Sequence, residues 1–200
     1  MTPSISPLEL QQIDTPFDHP DWIFEIKFDG FRSLAAIENG TCNLISRRAN
    51  AFKQVPDLRI ALPNDLKGVD EAVLDGEIVV LDERGASLFG PLMKSNSKPI
   101  YAAFDLVYLN GEDLSDVPLL ERKKRLRSIV RKNASRVLYV DHVVGLGKAL
   151  FAEVCKRDLE GIVAKLAISP YKAVRRASPW IKIKNPNYTQ KEGRGELFNR

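Results

Sequence analysis

Cysteine and histidine are scarce, two of each in 200 residues. Cys42 and Cys155 lie far apart and form no Cys-x-x-Cys, which argues against a disulfide framework and a zinc site. His19 and His142 stand alone, neither in His-Glu-x-x-His, so a histidine-based metal centre or catalytic triad would lack parts. No apolar run approaches the roughly 20 residues that a membrane helix needs. The segment before Asp21 has no basic start followed by an apolar stretch, so it is not read as a secretory signal, and the expected compartment is the cytoplasm. Familiar phosphate-binding loops are missing as well. Gly145-Leu-Gly-Lys148 lacks the spacing of Gly-x-x-x-x-Gly-Lys-[Ser/Thr] and reads as a helix start, and no Gly-x-Gly-x-x-Gly follows a strand. If such a chain handles nucleotides, it does so with lysine, arginine and carboxylates.

What is present is an ordinary globular composition, 44% hydrophobic and 28% charged. The net charge of +4 hides an asymmetry: residues 1–100 hold 10 Lys and Arg against 15 Asp and Glu, whereas residues 101–200 hold 20 against 11. A basic second half suggests a polyanionic partner, nucleic acid or nucleotide phosphate, with a solvated basic face as the bland alternative.

Residues 1–20 are proline-punctuated and read as an extended, surface-hugging lead-in to one domain over 21–188, with a polar tail over 189–200. Trp22 to Phe28 alternates in period two, a half-buried strand with Trp22, Phe24, Ile26 and Phe28 on one face and Glu25, Lys27 and Asp29 on the other. Asn39-Gly40 and Asn110-Gly111 are type I′ hairpin turns, and the stretch from Ala72 to Asp82 is a strand ending at Glu83-Arg84-Gly85. Pro118 fits the first turn of a helix capped at Ser115 or Asp116, its apolar side marked by Leu119, Leu126, Ile129 and Val130 and its other face basic from Arg122 to Lys132. Leu146, Leu150 and Val154 mark a second helix, and two strands close the chain, Gly161 onward and the alternating Trp180 to Lys184. Strand-rich, turn-linked and flanked by helices, this is an α+β pattern of mainly antiparallel sheets.

Lys27 sits between Glu25 and Asp29, followed by Gly30, which allows a sharp turn, and Arg32. This stretch resembles the Lys-x-Asp-Gly-x-Arg signature of the covalent nucleotidyltransferases, the ATP-dependent polynucleotide ligases and GTP-dependent capping enzymes. Ser46-Arg47-Arg48 with Asn50 and Phe52, Leu74-Asp75-Gly76-Glu77, Tyr101 to Asp105, Glu160-Gly161 with Lys165, and Trp180-Ile-Lys182-Ile-Lys184 follow in the family's order. The wording is most similar to the ligase domain of bacterial end-joining ligase D and its stand-alone relatives.

That resemblance implies an adenylation-domain fold around a nucleotide cleft, with Lys27 attacking the α-phosphate of ATP to become lysyl-AMP. It implies that Glu25 meets the adenine edge, Phe104 stacks on the ring, and Arg32 and Glu77 hold the ribose. Lys165, Lys182 and Lys184 then meet phosphates, Arg47 meets phosphate or the nick, and Glu160 or Glu77 binds a divalent metal, Mg²⁺ or Mn²⁺. Phe104 is also compatible with plain core. An amine nucleophile must be neutral, and clustered cations beside it penalise a further ammonium. Strand alternation puts Lys182 and Lys184 on one face, where both can grip one triphosphate.

The expected substrate is nicked double-stranded DNA. Family ligases usually continue into an OB-fold domain, which the 16 residues after Lys184 cannot hold. The expectation is therefore weak sealing, or an OB fold lent by an end-joining partner protein. The basic segment Arg122–Lys132 would supply part of the DNA grip. RNA ligation or guanylyl transfer is the alternative within the fold, and a non-catalytic nick- or end-binding module the alternative outside it.

Overall fold

The computed structural model describes residues 5–94, 97–172 and 178–191, so the tail from residue 192 onward lies outside the described residues. In chain order the elements are β1 (Gln11–Ile13), β2 (Trp22–Ile26), β3 (Phe31–Glu38), β4 (Thr41–Ser46), α1 (Pro56–Asn64), β5 (Glu71–Val79), α2 (Phe89–Leu92) and β6 (Ile100–Leu109). There follow β7 (Glu112–Asp113), α3 (Leu119–Ile129), β8 (Val137–Tyr139), β9 (Val143–Val144), α4 (Gly147–Lys156), β10 (Gly161–Leu166) and β11 (Trp180–Lys184). One sheet runs β1-β11-β10-β2-β9, the other β4-β3-β5-β6-β7 with β8 beside β6. Pairing is antiparallel except at β1–β11 and β6–β8. The fold is α+β, as the strand and turn pattern predicts. Both Asn-Gly tips have the two successive positive φ angles that type I′ turns require, 51° and 74° at Asn39-Gly40 and 45° and 91° at Asn110-Gly111.

The second sheet packs α1 and the inner face of α3 through Leu58, Leu62, Leu126 and Ile129 over Ile37, Leu44, Leu74 and Leu106. The first sheet packs α4 through Val154 over Phe24, Ile162 and Ile183. A third cluster, with Ile23 and Trp180 against Val107, Leu119 and Leu8, fills the space where the sheets face each other. β2 is thus covered on both faces: Ile23 and Phe24 are both fully buried, and so are Glu25 and Asp29. The half-buried strand expected from alternation is corrected on this point. The lead-in is corrected too, because Leu8 enters the inter-sheet core and Gln11–Ile13 forms an edge strand.

The largest departure is α3. It starts at Leu119, with Pro118 rather than Ser115 or Asp116 at its N-cap. Arg122 and Lys123 are buried at 0% and 1% exposure. They occupy the i+3 and i+4 positions from Leu119, the stripe a helix turns inward. Arg122 makes a two-pronged pair with Asp105, Nε to Oδ1 at 2.9 Å and Nη2 to Oδ2 at 2.7 Å. Its Nη1 donates to the carbonyls of Val117 and Ser169 at 2.5 and 3.0 Å. Of the remaining basic residues, Arg125 and Arg127 pair with Glu112 and Asp141. The helix is therefore no continuous basic face.

Breaking a buried pair by removing one partner costs about 3–5 kcal/mol, because the other charge is left desolvated. Arg122→Met should lower unfolding free energy by about that amount in denaturant titrations, whereas Lys124→Met on the exposed face should stay within about 0.5 kcal/mol. Equal, small effects at both positions would contradict the buried pair.

Candidate active site

Two motif glycines set the backbone of the site. A Cβ on Gly161 would lie 2.2 Å from the Ile183 carbonyl oxygen, at a φ of +152° that side chains rarely adopt, so only glycine lets β10 run this close to β11. The Gly161 carbonyl accepts the Lys27 N–H at 2.9 Å, which carries the pairing one residue past β2. Gly30 serves close approach as well: its Cβ would sit 2.2 Å from the Ile78 carbonyl oxygen of β5. The sharp-turn reason expected for Gly30 is replaced by packing of the Lys27–Gly30 loop onto the second sheet.

Register then orders the side chains. Glu25 pairs with Val163 and Val163 with Lys182, so Glu25 and Lys182 lie on one line across the first sheet. Ile23, Lys165 and Trp180 form the next line on the same face. On the second sheet Arg32 pairs with Glu77. Between β5 and β6 the register passes from Asp75–Asp105 to Gly76–Ala103, which leaves Phe104 as the extra residue of a β-bulge. The bulge leaves Phe104 half-buried at the cavity while Asp105 stays in the core, so Phe104 is more than plain core.

The faces of the two sheets enclose a cavity of about 430 Å³. Of the residues singled out in the sequence, Glu25, Lys27, Arg32, Arg47, Glu77, Phe104, Lys165 and Lys182 all line it. Lys184 and Glu160 do not; they line an adjoining cavity of about 410 Å³ with Asp14 and Tyr188. The Glu160 carboxylate nevertheless reaches the Lys27 Nζ at 2.6 Å, so that pair stands where the two cavities meet. Lys182 and Lys184 do share a strand face, but only Lys182 borders the main cavity.

Charges on the cavity floor are paired. The Glu25 carboxylate binds Lys123 at 2.5 Å and Lys165 at 2.6 Å, all three side chains being buried. Burial works against its charge, yet the two ammonium groups hold Glu25 below the usual carboxylate range. Lys165 lies 4.3 Å from the Phe104 ring centroid and 4.0 Å from that of Trp180, and burial, with Lys123 nearby, lowers its affinity for a proton. Arg32 forks onto Asp75 at 3.1 and 2.7 Å, and Tyr171 donates to the same carboxylate at 2.6 Å. Burial also lowers the Lys182 pKa, helped by Lys184, Lys27 and Arg47.

Several residues of the site escaped the sequence reading. Asp75 shares the strand parity of Glu77, and Lys123 has the helical spacing of Leu119 and Leu126, so both signals were available. Among the described residues no group of three or more His, Cys, Asp or Glu could hold a metal ion. Mg²⁺, however, is commonly bound by one or two carboxylates together with substrate phosphates. Glu77 and Glu160 fit that donor set, since both stand close to Lys27 and the Glu160 charge is felt at Glu77.

Desolvation raises the Glu77 carboxyl from its ordinary 4.5 to about 7. The protonated form is the one the fold favours, so this contribution to stability is complete below about pH 4.5 and is lost as pH rises through about 7. Glu77→Gln should therefore match the parent at low pH and exceed it by about 1–3 kcal/mol above pH 7, read from melting temperatures across the range. A pH-independent difference would contradict the raised Glu77 pKa.

A family model described as the ATP dependent DNA ligase domain matches residues 7–184. The chain is 34% identical over 193 residues to the SPbeta prophage-derived DNA ligase-like protein LigB of Bacillus subtilis, covering 93% of this chain and 69% of that protein. It is 35% identical over 171 residues to the multifunctional non-homologous end joining protein LigD of Pseudomonas aeruginosa, covering 82% of this chain but only 20% of that protein. Among solved structures, mycobacterial DNA ligase D complexed with ATP and MES superimposes with a TM-score of 0.78 at 32% identity, over 90% of this chain and 60% of that one. With its signature residues brought together around one cleft, the chain belongs to the ATP-dependent DNA ligase domain family.

Proposed function

We propose that this chain adenylylates itself on Lys27 with ATP and passes the AMP to the 5′-phosphate of nicked DNA for sealing. The observation that carries the reading is the Lys27 amine held 2.6 Å from Glu160 at the mouth of a cavity that Lys182 and Arg47 also line. The Lys27 ammonium gives its proton to Glu160, and the neutral amine attacks the α-phosphorus. The N–P bond forms as the bond from the α-phosphorus to the bridging oxygen breaks. Pyrophosphate leaves with that electron pair and takes up the second amine proton, which leaves a neutral phosphoramidate nitrogen. Lys182 and Arg47 meet the charge that grows on the leaving group, an electrostatic contribution preorganised by β11 and the end of β4.

At the other end of the cavity Phe104 offers a face to the base, while Arg32, fixed by Asp75, holds the ribose with Glu77. Lys165 and Glu25 form the floor beneath them. Glu77 and Glu160 are the residues that would hold Mg²⁺, which when bound neutralises phosphate oxygens. The LigB and LigD relatives are named for DNA ligation and end joining, which favours nicked DNA over RNA ends.

Incubation with Mg²⁺ and α-labelled ATP should give labelled protein on a denaturing gel, with the label lost in Lys27→Ala and absent from a parallel reaction with GTP. A chase with nicked DNA should discharge the label, whereas nicked RNA should not. Label from GTP alone would indicate capping chemistry, and folded protein taking no label from either would leave a nick-binding module. Retention on nicked duplex should fall steeply between roughly 50 and 200 mM salt, and salt-independent binding would contradict a phosphate-reading surface.

A further inference from the structure

The segment just past β11 folds back along the nucleophile loop. The Asn185 N–H donates to the Glu160 carbonyl at 2.9 Å, and its side chain donates to the Leu159 carbonyl at 3.0 Å. The Thr189 N–H donates to Asp158 at 3.0 Å, and the Gln190 amide donates to the Ser87 carbonyl at 2.8 Å. Between these anchors Tyr188 is 6% exposed and donates its hydroxyl to Asp29 Oδ2 at 3.0 Å. Asp29, itself buried, donates its N–H to Ser87 Oγ at 3.1 Å.

Asp29 lies two residues beyond Lys27, and the Lys27 N–H is tied to Gly161 on the opposite side. The loop from Lys27 to Gly30 is thus gripped by β10 at its start and by Tyr188 and Ser87 at its end. The same short segment holds the backbone of Glu160, the partner of Lys27. Tyr188 also lines the adjoining cavity beside Glu160. Burial, with Glu160 and Asp158 close by, pushes its phenol up to about 12, so it remains a hydrogen-bond donor at any working pH.

We propose that Tyr188 is a positioning residue for Lys27: its hydroxyl holds Asp29, and through Asp29 fixes the loop that keeps the Lys27 amine against Glu160. The role in catalysis rests on Lys27 being the nucleotide acceptor, whereas the positioning itself is readable in the chemical reactivity of Lys27. Neither Tyr188 nor Ser87 touches the reacting atoms. Their contribution is geometric, and small misplacements of a nucleophile carry large rate penalties.

The test uses the full chain and Tyr188→Phe, which removes only the hydroxyl. At saturating ATP the single-turnover rate of label incorporation should fall about ten-fold, with the half-saturating ATP concentration unchanged within about two-fold. Asn187→Ala, an exposed side chain in the same segment, should keep the parent rate. Trace acetylation followed by peptide mass spectrometry should show Lys27 gaining reactivity in Tyr188→Phe relative to Lys182, as its contact with Glu160 loosens. Should Tyr188→Phe fail to fold, Ser87→Ala, which frees the Asp29 N–H, carries the same two expectations. If even the parent takes no AMP while Lys27 reactivity still rises in the variant, the nucleotide reading falls and the positioning role stands. Unchanged Lys27 reactivity in the variant overturns the proposal, as does an effect confined to the ATP concentration dependence.

Discussion

A carboxylate that has lost its water keeps its charge only where cations or hydrogen-bond donors replace that water, and the arrangement around Glu25 meets this with two cations. Lys123 reaches it from α3 and Lys165 from β10, so one buried side chain of β2 joins a helix packed on the second sheet to the centre of the first. Arg122 on Asp105 and Arg32 on Asp75 repeat the device on either side. Such pairs add little net stability, because desolvation offsets most of their attraction, but they tolerate few alternative geometries. The cleft between the sheets is therefore floored by charges already fixed in direction. Lys27, Lys182, Arg47 and Arg48 line the same cavity and are less deeply buried than the cations of that floor.

The Lys27–Glu160 pair belongs to a different regime. Its lysine is only partly shielded, with a side-chain exposure of 20% against 8% for Glu160. It sits between two cavities rather than inside one. A group so placed can exchange its partner for a ligand without leaving a charge stranded in the core. This separates the residues that build the cleft, which are sealed and paired, from those available for chemistry at its mouth. Glycine makes the separation possible, since Gly161 lets β10 approach β11 and Gly30 lets the loop after β2 approach β5 within distances that any side chain would block.

Much of this was legible in the sequence because it is encoded in short-range patterns. Period-two alternation marked Trp22–Ile26 and Trp180–Lys184, Asn-Gly pairs marked two hairpins, and the ordered signature segments marked the cleft. What stayed hidden depends on contacts distant in the chain. The burial of Arg122 and Lys123 was readable in principle, since their spacing from Leu119 points inward, but their charge suggested the opposite and only Asp105 and Glu25 resolve the conflict. Phe104 leaves the core through a bulge, a register shift that no single-strand pattern records. Lys184 has the right parity for the cleft but lies past the end of the main cavity, which only the placement of Gly161 opposite it reveals.

The proposed chemistry requires that Lys27, and no other lysine, be the group that takes nucleotide. Protein incubated with ATP and Mg²⁺, digested under mildly alkaline conditions and sequenced by mass spectrometry, reports the modified side chain directly. AMP is expected on Lys27 with Lys165, Lys182 and Lys184 unmodified. AMP on one of those three lysines instead, or on a non-lysine side chain, would contradict it.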